Sequence, residues 1–448
     1  MAEGPFVCVD CGKPTVCVTR CLLTIISEPD DRTQGPVFLT LQAKPNKSEH
    51  YDFAHPTVEE GFLMTAVTPF KIAISDDRLS WIGDRVRCFD WDSFPDAGGW
   101  SAGIAKQALR TITDRWIGGY DWRAEEAVLN ELPQFRCEMD KGTLHFIHIQ
   151  TPGGASRPPV LLLHGWPGSF AEFRDSALRL AYPERFGGDA ADALDLVIPS
   201  LPGFGFSGKP AGPIGTRTVA RTLHDLMTRV LGYERYIAQG GDWGSTTASW
   251  LAHDYPDACV ALHVNMMIMG HAGVTAETDE ERQYQKLQMK WREADGGYSH
   301  IQRTRPQTLG FALQDSPVGT AAWILEKFAM WSDVPWKDGA PDLLAGYSID
   351  HLLTNVMLYV ATGTITTSAW IYLGNSKEKA FQLEHPITVP TAMASFPDPL
   401  FKPPPRSLPE RSYNIVRWTD MPRGGHFAAM EQPDLFADDV RAFALTVV

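Results

Sequence analysis

The sequence has no apolar run of the roughly 20 residues that a membrane-spanning helix needs. Its early apolar stretch, Cys21 to Ile26, is shorter than a signal-peptide core. Positive charge is also in short supply. Lys and Arg number 40 against 54 Asp and Glu, a formal net charge of −14. An acidic surface repels phosphate backbones and anionic lipid. Nucleic acid and a transmembrane anchor are therefore not expected as partners, and a soluble, cytoplasmic protein is. Cysteine is sparse and odd in number, with 7 in the chain. Cys8-Val9-Asp10-Cys11 has the form of half a zinc site or a redox pair, but Cys17 and Cys21 follow at irregular spacing with no redox-type βαβ context. No metal or cofactor is expected from them. Cys88, Cys137 and Cys259 read as reduced, small apolar residues. Internal repeats and low-complexity tracts are missing as well.

What is present is the composition of a globular protein, 44% apolar and 21% charged, in a chain of 448 residues that can bury a large core. Residues 1–63 show no sustained periodicity and carry clusters such as Glu28-Pro29-Asp30-Asp31-Arg32, so a disordered or weakly structured extension is expected. Met64 stands at its end as an alternative start. Residues 64–154 read as a separate N-terminal region with helices over Ile104 to Asp114 and Ala124 to Leu132 and a strand over Leu144 to Ile149. His145 and His148 fall on opposite faces of that strand, which disfavours a shared metal.

From 155 to 265 the pattern changes. Pro159 to Leu163, Leu196 to Pro199, Tyr236 to Ala238 and Val260 to Val264 are short continuous apolar runs between helical stretches. Ile387 to Val389 and Asn414 to Val416 resume the pattern in residues 385–448. Such runs predict an α/β class with buried parallel strands and helices on both faces. Between 266 and 384 helical stretches take over, as in Ala321 to Trp331 and Leu352 to Tyr359, which fits a lid over the sheet's C-terminal edge.

Three motifs carry chemistry. Gly240-Gly241-Asp242-Trp243-Gly244 lies between a strand and a helix, as in a nucleophile elbow, with Asp where Ser is usual. A carboxylate attacks saturated carbon, in epoxide opening or halide displacement, and gives an alkyl ester. A helix-capping turn aspartate is the alternative at this point. His164-Gly165-Trp166-Pro167-Gly168-Ser169 follows a strand and can aim the Trp166 N–H at that carboxylate, with the Trp243 N–H as the other half of an oxyanion hole. It is also an ordinary β-turn, and Pro167 suits a cis bond. Arg423-Gly424-Gly425-His426-Phe427 places a histidine on a Gly-rich loop where a general base would reach over the sheet edge. Asp398, in Phe396-Pro397-Asp398-Pro399 after the strand around Val389, is the candidate orienting acid. Asp420 and Glu431 are nearer to His426 in sequence but read as surface charges. Asn265 cannot supply the charge.

From about Met64 to Val448 the chain resembles the epoxide hydrolases of the microsomal type, including soluble bacterial and fungal relatives. Carrying the resemblance, beyond the three motifs, are Pro69 to Ile72, Gly119 to Arg123, Pro199 to Ser207, Asp315 to Gly319 and Leu353 to Tyr359. It implies an α/β-hydrolase fold with a mostly parallel central sheet, a helical lid and an N-terminal meander. It implies Asp242 as nucleophile, His426 as base, and Tyr298 and Tyr372 as lid donors to the epoxide oxygen. A phenol stays protonated at neutral pH and can donate, although either tyrosine alone could be a packed core residue. The implied partners are a small hydrophobic epoxide and water, with a homodimer compatible and no cofactor. The loop before Asp398 is one residue shorter than the family's, and Trp370-Ile371 stand where an arginine is common. The lid residues Met266, Met267, Met269, Phe311, Trp323, Phe328 and Trp331 suit a hydrophobic ligand and equally a lid core. Two rival readings share the elbow: haloalkane dehalogenation, with indole N–H groups holding halide, and an inactive hydrolase fold that serves as a receptor.

Overall fold

The computed structural model describes residues 66–151 and 157–447. The readings of residues 1–63, with Cys8, Cys11, Cys17 and Cys21, and of Met64 lie outside the described residues. The described N-terminal stretch begins with β1 (Thr68–Phe70) and continues through α1 (Asp76–Arg87), α2 (Lys106–Gly118) and α3 (Trp122–Leu129) to the hairpin β2 (Gln134–Met139) and β3 (Gly142–Ile149). Local chemistry sets these elements. The Ser75 side chain accepts from the Arg78 N–H at the start of α1, and Asp121 accepts from Arg123 and Ala124 at the start of α3. Ile72 is pinned in both directions by the Asn130 side-chain amide at 2.8 and 2.9 Å.

The core follows as β4 (Val160–Leu163), α4 (Arg174–Ala181), β5 (Leu196–Pro199), α5 (Thr216–Asp225), β6 (Tyr236–Gly240), α6 (Asp242–Asp254) and β7 (Cys259–Val264). Every residue of β4, β5 and β6 is buried, which is why these strands read as unbroken apolar runs and not as alternation. The lid contains β8 (Gly270–His271), α7 (Asp279–Asp295), α8 (Gly297–Thr304), α9 (Pro306–Asp315), α10 (Pro317–Trp331), β9 (Trp336–Lys337), β10 (Ala340–Pro341), α11 (Leu343–Gly346), α12 (Ile349–Thr362), α13 (Ile365–Glu378) and β11 (Gln382–Leu383). The core closes with β12 (Ile387–Ser395), β13 (Tyr413–Asp420), α14 (Ala428–Glu431) and α15 (Pro433–Ala444).

Among the described residues the main sheet has nine strands in the order β1-β2-β3-β5-β4-β6-β7-β12-β13. From β5 to β13 all neighbours are parallel, while β1, β2 and β3 add an antiparallel edge, β3 pairing antiparallel with β5. This is the doubly wound α/β-hydrolase arrangement. The expected strands all form, and β12 runs on to Ser395, well past the apolar Ile387 to Val389. Strand β2 was not legible in the sequence, because its Gln-Phe-Arg-Cys-Glu-Met mixes charge into a half-exposed outer ladder.

The lid and the N-terminal elements are joined by polar contacts. Arg115 makes a bidentate pair with Asp350 at 2.6 and 2.8 Å, and the Tyr120 hydroxyl lies 3.0 Å from the Thr354 hydroxyl on α12. Among the described residues, no single helix is long and apolar enough to cross a membrane. Helices α12 and α13 together are apolar, but they meet at 87° and are largely buried in the lid. Cys137 and Cys259 are buried free thiols as expected, whereas Cys88 is exposed at the end of α1. His145 and His148 are strand residues with separate partners, Ser200 and Gln134 for the first and Tyr233 for the second.

Candidate active site

Strand β6 turns into α6 at Asp242, whose φ is +47°. A non-glycine residue in this region costs about 1–3 kcal/mol and persists only where its surroundings fix it. Here close packing fixes it. A Cβ on Gly244 would stand 2.0 Å from the Leu163 carbonyl oxygen, so only glycine lets the elbow approach β4. Asp242 does not cap its own helix, since the N-cap is Gly241. Its Oδ1 instead accepts the Trp166 N–H at 2.8 Å across the β4 turn. Trp243 lies in the first turn of α6, where backbone N–H groups have no intrahelical acceptor. The Trp166–Pro167 bond is cis. Lid helix α12 holds this turn: the Asn355 amide donates to the Pro167 carbonyl at 2.9 Å and the Tyr359 hydroxyl to the Gly168 carbonyl. His164 is buried, and burial lowers its pKa to about 4. Its Nε2 accepts the Leu201 N–H at 3.1 Å, so it is a neutral brace for the turn.

His426 reaches the elbow from the loop after β13. Its Nδ1 meets Asp398 Oδ2 at 3.0 Å, and its Nε2 stands 3.5 Å from Asp242 Oδ2. That second distance is an ion-pair contact too long for a hydrogen bond, and Nε2 is buried with no hydrogen-bond partner among the described residues. Asp398 is itself fixed, its Oδ1 accepting the N–H groups of Leu400 and Phe401 at 2.8 and 2.7 Å. Burial disfavours charge on His426, but Asp242 and Asp398 outweigh it and hold the imidazole well above its usual value. At rest the site is thus an imidazolium between two carboxylates.

On the lid side the site is aromatic. Tyr298 on α8 stacks on Trp166 at 5.4 Å, and Tyr372 on α13 meets Trp243 edge-on at 4.6 Å. The two tyrosine rings are 5.9 Å apart. Burial, together with the charge of Asp242, pushes both phenols well above their usual pKa, so both keep their protons. Lys327 sits 4.6 Å over the Tyr298 ring and is paired with Asp295 and Glu326. The indole N–H groups of Trp166 and Trp243 are buried without a hydrogen-bond partner. Of the other lid residues, Trp331 packs on Tyr298 and His426, Phe328 stacks on Phe427, and Trp323 donates to Gln302. Met266, Met267 and Met269 are buried, while Phe311 is 73% exposed and serves neither role.

The seven residues singled out in the sequence therefore converge on one place. Asp420 is exposed, as expected. Glu431 is a correction. Instead of a surface charge it is a clamp, accepting the N–H groups of Asp333, Gly425 and Phe427 at 2.8–2.9 Å and so tying the His426 loop to the end of α10. Burial raises its carboxyl to about 7. Its sequence position, in a short helix after a loop, carries no signal for this. Glu172 was also missed. It belongs to a Ser169-x-x-Glu172 capping box, a legible pattern, but it also lines one small cavity with Asp242 and His426.

The chain matches the models for the epoxide hydrolase N terminus over residues 67–173 and for the alpha/beta hydrolase fold over residues 158–294. Epoxide hydrolase 1 of Sus scrofa is 34% identical over 403 residues, covering 84% of this chain and 88% of that protein. The crystal structure of juvenile hormone epoxide hydrolase from the silkworm Bombyx mori aligns with a TM-score of 0.72 at 32% identity, over 85% of this chain and 93% of that one. The structure of the Aspergillus niger epoxide hydrolase aligns with a TM-score of 0.73 at 31% identity, over 86% and 97%. Similar in sequence over most of its length and in fold, the chain belongs to the epoxide hydrolase family, as an α/β-hydrolase that acts on epoxides.

Proposed function

We propose that this enzyme converts a small hydrophobic epoxide to its vicinal diol through an alkyl ester on Asp242. One carboxylate oxygen of Asp242 attacks a ring carbon, and the opposite C–O bond breaks. Tyr298 and Tyr372 bind the epoxide oxygen, and one phenol passes its proton to the leaving alkoxide. The resulting ester removes the negative charge of Asp242 from beside His426. The imidazolium is then less stabilised and gives up its Nε2 proton to the phenolate, which restores the phenol, so Nε2 becomes a base while Asp398 keeps Nδ1 oriented. Water attacks the ester carbonyl, His426 takes its proton, and the Trp166 and Trp243 N–H groups receive the oxyanion. Collapse regenerates the carboxylate and releases the diol, the second proton of the water passing to the departing alkoxide, and His426 is back in its protonated resting form.

The observation that carries this reading is the setting of Asp242. Trp166 N–H holds one oxygen, His426 Nε2 stands 3.5 Å from the other, and the two phenols pack on Trp166 and Trp243 from the lid. The paired phenols favour epoxide opening over halide displacement, because an alkoxide needs a proton and a halide does not. The aromatic lid side of the site, with Trp166, Trp243, Tyr298, Trp331 and Tyr372 in mutual ring contact, supports a hydrophobic substrate. The acidic balance of the chain supports a soluble, cytoplasmic enzyme.

The test is diol formation from styrene oxide and a panel of aliphatic epoxides. Asp242→Ala is expected to lower turnover at least about 10⁴-fold, the scale of losing a nucleophile. Diol formation by the Ala variant at more than a hundredth of the wild-type rate would show that Asp242 is not the attacking group.

A further inference from the structure

A buried cation stands against one of the two lid phenols. Lys327, on α10, is 5% exposed. Its Nζ lies 2.8 Å from Asp295 Oδ1, 2.7 Å from Glu326 Oε2 and 4.6 Å over the Tyr298 ring. It is also 5.7 Å over the ring of Trp331, whose indole N–H donates to Asp295 Oδ2 at 3.2 Å. The break between α7 and α8 brings these groups together. Asp295 ends the first helix and Tyr298 lies in the first turn of the second, with Gly296 and Gly297 between them. A Cβ on Gly296 would stand 2.3 Å from the Arg292 carbonyl oxygen, so the tight junction needs glycine. Tyr372 has a different setting, its ring enclosed by those of Trp166, Trp243 and Tyr298.

Packing alone does not call for lysine here. Taking charges out of water costs as much as most buried pairs return, and an apolar side chain of the same volume would fill the space as well. What lysine adds is a positive charge on the face of an aromatic ring. A cation is attracted to that face, and more strongly once the ring carries the charge of a phenolate. Such charge arises in one step only. When the epoxide C–O bond breaks, a phenol gives its proton to the epoxide oxygen and is left as phenolate. The groups facing Tyr298 act in both senses. Burial and Asp242 disfavour its phenolate, as do Asp295 and Glu326, whereas the contact with Tyr372 lowers the Tyr298 pKa and raises that of Tyr372. The two opposing carboxyls are tempered: the Trp331 indole engages Asp295, and burial raises Glu326 towards its neutral form.

We propose that Lys327 is a positioning residue that makes Tyr298 the proton donor of the pair: its ammonium stabilises the phenolate that ring opening leaves on Tyr298, while Tyr372 holds the epoxide oxygen by a hydrogen bond. The proposal deepens the reading above and rests on its covalent route. In the first step the Tyr298 O–H bond and one epoxide C–O bond break, as the bond from Asp242 to carbon and the alcohol O–H bond form. Lys327 transfers no proton and keeps its charge throughout. His426 Nε2 then returns a proton to Tyr298, and Lys327 has no part in the hydrolysis that follows. Its effect is confined to ester formation.

The experiment is a single-turnover measurement with styrene oxide that follows ester formation and ester hydrolysis separately, by quenched-flow mass spectrometry of the intact protein. Lys327→Met keeps the apolar stem and removes the charge. Ester formation is expected to slow roughly tenfold, the scale of a cation lost from a buried ring, with hydrolysis unchanged. Lys327→Arg restores a cation and is expected to recover most of the rate. Placed in a Tyr298→Phe background, where no phenolate forms at that ring, Lys327→Met is expected to cost nothing further. In a Tyr372→Phe background it is expected to keep its full effect. Asp295→Asn breaks the ion pair from the other side and leaves the cation, so ester formation is expected at the wild-type rate or faster. Slower ester formation in Asp295→Asn would mean that the pair serves packing alone, and would overturn the inference even where Lys327→Met failed to fold. Wild-type ester formation in Lys327→Met, or an equal further loss in the Tyr298→Phe background, would overturn it as well and leave the covalent reading intact. Absence of any adduct, in the wild type and in His426→Gln alike, would sink the covalent reading and this inference together.

Discussion

The two sides of the Asp242 carboxylate are built from different chemistry. On the lid side stand Tyr298, Tyr372, Trp166 and Trp243, neutral aromatic groups with few internal degrees of freedom. On the core side stand His426, Asp398, Glu172 and Glu431, all titratable and all tied to backbone N–H groups or to one another. The difference matches the division of labour proposed above. Ring opening needs a proton donor that does not neutralise the nucleophile, and a phenol with a raised pKa meets that need. Ester hydrolysis needs a base that appears only after the nucleophile has lost its charge, and an imidazolium held by two carboxylates meets that one. One face can stay dry while the other holds water.

The sharpest break of this comparison is His426→Gln. It leaves the lid side whole and removes the base, so ester formation is expected at close to the wild-type rate. Hydrolysis is expected to fall by roughly 10²–10⁴-fold, the range for a lost general base. A stable protein adduct of the mass of one epoxide, seen after a single turnover, is the readout. If ester formation falls as far as hydrolysis, the two sides are not separable and the imidazolium is needed for ring opening too.

The converse is the tyrosine pair. Tyr298→Phe and Tyr372→Phe each remove one donor and keep the ring packing. Ester formation is expected to slow by roughly ten- to hundredfold in each and by considerably more in the double variant, since the alkoxide then has no proton source. Hydrolysis of ester once formed is expected to change little. Stopped-flow quenching of Trp166, which touches both rings, and of Trp243, which touches Tyr372, follows the first step directly. Unequal effects would identify the proton donor of the two, and no effect in the double variant would remove the phenols from the reaction.

The same two sides differ in how far the sequence discloses them. Asp242 and His426 were legible because local backbone needs write glycine around them. Asp398 was legible from its place after a core strand, although the strand runs six residues past its apolar start. Glu431 was misread because its function lies in three N–H groups, one of them from Asp333 nearly a hundred residues away. Lys327 and Asp295 were silent for the same reason, being a lid ion pair under Tyr298 that only the packing of α7 on α10 creates. Strand β2 was missed because an outer ladder with one wet face needs no apolar run. Short-range geometry leaves a mark in sequence, whereas a buried charge with tertiary partners looks like any surface charge.

The smallest expected effect is on stability. Burial raises Glu431 from an ordinary 4.5 to about 7 and Glu172 to about 8, so folding favours their protonated forms. A raised carboxyl contributes stability that is complete below its unfolded value and is lost as pH rises through its folded value. The melting temperature is therefore expected to fall by a few degrees between pH 5.5 and 8.5. His426, raised by its carboxylate neighbours, acts in the same direction and continues above pH 8. The depressed carboxyls of Asp439 and Glu281, both near 2, lose their contribution only in acid and do not enter this window. Glu431→Gln retains an oxygen for part of the clamp and cannot ionise, so its decline across the window is expected to be shallower than the wild type's. Tyr298→Phe, on the other side of Asp242, leaves every one of these carboxyls in place and is expected to follow the wild-type slope. Scanning calorimetry at half-unit pH steps separates the two. Parallel slopes for wild type and Glu431→Gln would mean that the clamp carboxylate is ionised throughout, held by its three N–H donors against the cost of burial.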